Sequence, residues 1–115
     1  MIDGFFRIAF TGTAGSGFGM LVLRDGIIAG ADMAGSIYDG TYTENPQAGE
    51  ISLQFIMAAP EGATPVQTGV PLAAPIALPI TATVAQADIA TEKLFLLQTQ
   101  LGPVNVIFKK IRDFP

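Results

Sequence analysis

Few side chains in this sequence can do chemistry, and their types and spacing limit which chemistry is open. There is no histidine and no cysteine among the 115 residues. Thiol nucleophiles, Ser–His and Cys–His dyads, and zinc sites built on nitrogen or sulfur are thereby removed. Carboxylates, hydroxyls, two tyrosines and six basic residues are left. Asp32 stands among small residues in the stretch Gly30-Ala31-Asp32-Met33-Ala34-Gly35. There an aspartate can accept from backbone amides and fix a bend as an Asx turn. The competing role, general acid or base, has no His, Lys or second carboxylate nearby in sequence to support it. Tyr38 and Tyr42 fall on one face of an extended segment. Their hydroxyls serve either a ligand or a protein partner inside a core. Asp3, Asp25, Asp39, Glu44 and Glu50 are scattered. They have neither calcium-loop spacing nor a paired-carboxylate arrangement, and they read as a solvated face. Residues 11–17, TGTAGSG, are rich in glycine but lack the Lys-Ser/Thr of a phosphate loop, and no helical pattern follows, so a hairpin loop is expected. Lys109 and Lys110 either meet an anion or guard a final edge strand against edge-to-edge pairing. The expectation is a protein that is not an enzyme and carries no metal or cofactor.

The elements that position these residues are read from period-two hydrophobicity. Gly4 to Thr11 is the first strand, with Phe6, Ile8 and Phe10 on one face. Phe18 to Arg24 and Ile27 to Gly30 flank Asp25-Gly26. That dipeptide supplies the two positive φ values of a type I′ turn, and it sets Arg24 against Ile27, Leu23 against Ile28 and Leu21 against Gly30. A fourth strand ends at Thr43. Its Gly40, between two same-face tyrosines, marks a bend or a close backbone approach. Glu50 to Ala58 alternates most cleanly. Pro60 to Pro75 is a long loop with a single helical turn at Pro65 to Gly69. A loop of that length is more often functional or mobile. Its oily end, Val70 to Ile76, is suited to cover a neighbouring molecule or its own barrel mouth. Ile76 to Ala85 is a sixth strand that Pro79 confines to an edge or a bulge. Gln86 to Glu92 turns, with polar side chains that can also cap a short helical turn, and Lys93 to Gln100 and Val104 to Ile111 complete eight strands.

Eight short strands, tight turns and no long amphipathic helix give an all-β chain. The expected fold is one antiparallel eight-stranded up-and-down β-barrel over residues 1–115, with a two-sheet sandwich as the other possibility. Such a barrel has room inside for side chains or one small ligand. If the even-numbered side of the first strand faces inward, Phe6, Ile8, Phe10, Tyr38, Tyr42, Leu53 and Phe55 line the interior and would contact an apolar, lipid-like ligand.

Half of the residues are hydrophobic and only 14% are charged. The surplus apolar surface has to enter a large core, a lined cavity or an oligomer interface, and a homodimer is expected. The net charge of −4 argues against nucleic acid as a partner. No apolar run is long enough for a membrane-spanning helix. Met1-Ile2-Asp3-Gly4 has no basic signal-peptide start, so a cytoplasmic location is expected.

The series Asp3-Gly4-x-Phe6-x-x-x-Phe10, Gly17-x-Gly19, Asp25-Gly26, Gly30-Ala31-Asp32 and Tyr38-x-Gly40-x-Tyr42 resembles the GrlR-type family, small proteins named for a negative regulator of type III secretion. The resemblance is concentrated in residues 3–57; beyond Pro60 only length and strand spacing match. It implies a lipocalin-like barrel with an apolar interior, a cytoplasmic dimer, and regulation through contact with a transcriptional regulator without direct DNA binding. The family's Gly-Gly-Asp bend reads Gly30-Ala31-Asp32 here. Its acidic partner-binding hairpin after the fourth strand is replaced by residues 43–50, TENPQAGE, with only Glu44 and Glu50 acidic. The fold is carried over from the resemblance and the specific partner is not.

Overall fold

Asp25 and Gly26 turn the chain with φ of 51° and 81°, the pair of left-handed conformations that a two-residue type I′ hairpin needs. The computed structural model describes residues 2–115. On either side of the turn, β2 (Gly15–Arg24) and β3 (Ile27–Asp32) pair antiparallel, with Arg24 opposite Ile27, Leu23 opposite Ile28 and Leu21 opposite Gly30. β1 (Gly4–Gly12) comes before them. β4 (Ile37–Asn45), β5 (Glu50–Ala59), β6 (Ile76–Ala85), the short helix α1 (Gln86–Ala90), β7 (Phe95–Thr99) and β8 (Gly102–Arg112) follow.

The eight strands form one sheet in the order β6-β5-β4-β3-β2-β1-β8-β7. Apart from the β1–β8 pair, every neighbour in the sheet is also a neighbour in sequence. The sheet curls until β6 and β7 approach each other, giving a nearly closed up-and-down barrel and not a sandwich. Across the remaining seam the Gln100 side chain donates to the Pro79 carbonyl at 2.8 Å. In a strand the carbonyl and amide positions of one residue point the same way. The missing N–H of Pro79 therefore faces the seam, and the ladder to β5 loses nothing by it.

Three local expectations are refined. Residues 13 and 14 form a two-residue turn between Gly12 and Gly15, so β2 begins earlier than Phe18. The helical turn α1 and a positive φ at Glu92 shorten β7 to Phe95–Thr99. β8 is flanked by β1 over residues 105–112 and by β7 over residues 102–106 only, so it is a central strand at its start, while Lys109 and Lys110 lie past the end of the β7 ladder. An extra residue in β8 opposite Phe5 and Phe6 acts as a bulge. Lys110 lies opposite Phe6, its ammonium is 5.5 Å from the centre of the Phe6 ring, and it bonds Asp113 at 2.6 Å.

Inward residues alternate along every strand. Phe6, Leu23, Ile28 and Ile51 are fully buried toward the end that carries the Asp25-Gly26 turn. Each such side chain contributes about 1.5–3 kcal/mol by leaving water. Ile2 and Ile89 of α1 join the same core cluster and fill this end. Gly40 lies so close to β5 that a Cβ there would fall inside the backbone of Gln54 and Phe55, so the glycine between the tyrosines marks a close approach. Among the described residues no helix is long and apolar enough to cross a membrane.

Candidate functional site

Side chains fill one end of the barrel, and the other end holds a cavity of about 440 Å³, within the range of small-molecule sites. Its deep wall is apolar. Ile8, Leu21, Leu23, Ile28, Leu53, Phe55 and Ile80 come from β1 to β6, and Phe95, Val106 and Phe108 come from β7 and β8. The polar side chains gather at the mouth, where the connections between strands lie. They are Ser16 near the start of β2, Asp32, Ser36 and Tyr38 around the β3–β4 turn, Thr64 and Gln67 from the β5–β6 connection, and Thr99 at the end of β7.

Asp32 builds the β3–β4 turn. Its Oδ1 accepts from the backbone amides of Ala34 and Ser36, each at 3.0 Å, which is the Asx-turn role. Its Oδ2 accepts from the Tyr38 hydroxyl at 2.5 Å. Burial and then the bonded, negatively charged Asp32 push the Tyr38 hydroxyl well above its ordinary value. At neutral pH it stays a protonated donor, with no capacity as a general base. Its ring stands edge-on to Phe55 at 6.0 Å. Tyr42, four residues further along β4, donates to Asp3, and Asp3 also accepts from the Asp25 amide at 3.3 Å. Burial and the Asp3 hydrogen bond raise the Tyr42 hydroxyl as well. Among the described residues no buried side-chain polar atom lacks a partner, and no group of acidic side chains could hold a metal ion.

Five of the seven interior residues expected from sequence, Ile8, Phe10, Tyr38, Leu53 and Phe55, border this cavity. Phe6 and Tyr42 share the inward face but lie outside the cavity wall. They sit at the filled end, where the Phe6 ring is 5.7 Å from that of Phe108 and Tyr42 is fastened to Asp3. Phe95, Val104, Val106 and Phe108 were not foreseen as wall. The register of β8 against β1 was the missing information; given Ile8 opposite Phe108 and Phe10 opposite Val106, their inward direction follows.

The connection from Pro60 to Pro75 lies across the mouth as a strap. Ala63, Thr64, Pro65, Val66 and Gln67 form the cavity's upper wall. The strap is held within itself by Gly62 and Leu72, whose amides bond the carbonyls of Leu72 and Ala63 at 2.9 Å each. A single helical turn closes from the Gly69 amide to the Pro65 carbonyl at 2.9 Å. Two contacts tie it to neighbouring hairpins at the mouth, the β1–β2 turn and the β7–β8 turn. The Ala14 amide donates to the Val66 carbonyl at 2.8 Å, where Gly12 leaves room for the strap to settle. At the next hairpin Gln67 Nε2 donates to Thr99 Oγ1 at 3.2 Å, and that hydroxyl donates to the Gly102 carbonyl at 2.7 Å. Residues 63–67 thus cover the mouth, while Val70 in the oilier part of the loop is exposed. No periodicity marks residues 63–67 as wall, and no sequence signal would have found them.

No protein-family model matches the sequence, and no curated protein matches it. The likeness to the GrlR-type family therefore stands at the level of the eight-stranded antiparallel barrel.

Proposed function

We propose that this chain is a non-enzymatic binding protein that carries one small apolar ligand inside a lipocalin-like barrel. The cavity of about 440 Å³, apolar below and polar only at its mouth, is the observation that supports it. Ligand entry runs past the strap, whose two tethers to the neighbouring hairpins are single hydrogen bonds. The test is binding of the apolar dye N-phenylnaphthylamine. The chain has no tryptophan, so the dye signal is free of that background. Saturable one-to-one binding is expected, lost in Val104→Phe, which fills the cavity from β8 while the β-type circular dichroism persists. Absence of dye binding, together with a native mass that shows no retained molecule, overturns the proposal.

A second reading is regulation through protein contact, with the chain as a homodimer that meets a transcriptional regulator as its GrlR-type resemblance implies. The outer face favours it. Met20, Ala31, Ile37 and Ala58 stand side by side across β2 to β5, and Met20, Ile37 and Ile56 are 45%, 57% and 50% exposed. A contiguous apolar face of this kind is the usual mark of an interaction surface. The two readings are compatible, since one uses the inside of the barrel and the other its outside.

A further inference from the structure

We infer that the ligand in this cavity carries a hydrogen-bond-donating head, an amine or an alcohol, seated against Asp32 and Tyr38, and that fatty acids and other anionic lipids are poor ligands. The inference rests on the binding proposal above and adds the chemistry of the occupant.

Among the described residues, Asp32 is the only charged side chain in the cavity wall. The six basic residues all lie elsewhere: Arg7, Arg24, Lys93, Lys109, Lys110 and Arg112 are absent from the wall. At the mouth an anionic head would leave bulk water with no cation in the wall to meet it, and would stand beside a carboxylate. Both effects oppose binding.

The hydrogen-bond inventory gives the same answer by a separate route. A carboxylate has about four acceptor positions. The two backbone amides of the turn occupy Oδ1, and the Tyr38 hydroxyl takes one position on Oδ2, so one acceptor position on Oδ2 remains. Tyr38 has spent its only proton on Asp32, and its oxygen can now only accept. Both groups therefore present acceptors, and a donor satisfies them. Gln67, across the mouth, already directs an amide hydrogen to Thr99. Below the head, Leu53, Phe55 and Ile80 accommodate an alkyl or aromatic body. An amine gains a charge-assisted bond that an alcohol does not, so amines rank first.

Decylamine, decanol and decanoate share one chain and differ only in the head, so their displacement of bound N-phenylnaphthylamine at neutral pH isolates the head-group term. The expected order is decylamine, decanol, decanoate, with decylamine at least about tenfold tighter than decanoate. Asp32→Asn is expected to weaken decylamine about tenfold and to change decanol less than about threefold. If the dye binds and decanoate displaces it as well as decylamine does, the head-group assignment falls and the carrier proposal stands. If neither the dye nor any of the three probes binds, both fall together. Should Asp32→Asn not fold, the ranking of the three probes on the unaltered protein decides the matter alone.

Discussion

Asp3 and Asp32 perform the same task at opposite ends of the barrel: each fastens a tyrosine hydroxyl that projects inward from β4. Both phenols are raised, first by burial and then by the carboxylate each one bonds. A group raised in the folded state stabilises the fold fully below its unfolded value, here about 10. That contribution is lost as pH climbs through the folded values. The melting temperature is therefore expected to be insensitive to these two groups up to about pH 10 and to fall above it. With two tyrosines and no tryptophan, phenolate absorbance reports them alone. It is expected to rise together with the loss of β-type circular dichroism; a rise at pH 10 in a still-folded protein would contradict the pairing. Tyr38→Phe is expected to cost about 1–2 kcal/mol at neutral pH, measured by urea unfolding, because Oδ2 loses its donor. Sequence was informative for Asp32, whose small neighbours leave it the natural acceptor for local amides. It was silent on the Asp3–Tyr42 bond, which joins residues 39 apart and depends on the ends of β1 and β4 meeting in space.

At the level of elements, local chemistry wrote the hairpins and long-range closure wrote the rest. The Asp25-Gly26 turn fixes its own register, and alternation in β5 shows its buried face without reference to any other strand. β8 reads locally as a terminal edge strand, because nothing near residues 102–112 reveals that β1 will pair with it. The strap is the other element beyond reach, since its prolines and alanines carry no period. Its hold on the mouth can be measured. Gln67→Ala removes the tether to Thr99, and one hydrogen bond is worth about 0.5–1.5 kcal/mol net. Release of bound dye in a stopped-flow experiment is expected to quicken roughly three- to tenfold while the melting temperature changes little. An unchanged release rate would mean that the dye leaves by another path.

For the whole molecule, the sequence held the strand number and the up-and-down order, because hairpin after hairpin leaves little topological freedom. It did not hold where the surplus apolar residues go. They divide between a lined interior and an outer face across β2 to β5. If that face joins two copies, Ile37→Asp is expected to weaken self-association at least about tenfold by sedimentation, since an unpaired charge at the centre of an apolar interface is costly. The β-type circular dichroism should be retained, because Ile37 points out of the barrel. An association constant unmoved by the charge would leave the face without that role.

The pairing of β1 with β8 sets Phe5 opposite Arg112 and stacks Phe5 near Phe114, with ring centres 4.6 Å apart. The two ends of the described chain are therefore neighbours in the sheet, and the seam lies instead between β6 and β7. A circular permutant joined between Phe114 and Ile2, and opened in the segment between α1 and β7, would run β7, β8, β1 and on to β6 in unbroken succession. Every ladder would then join consecutive strands, and the single most distant pairing would become a local hairpin. Because loop-closure cost governs how fast such sheets assemble, the same barrel would form along a shorter kinetic route, with its seam and its cavity untouched.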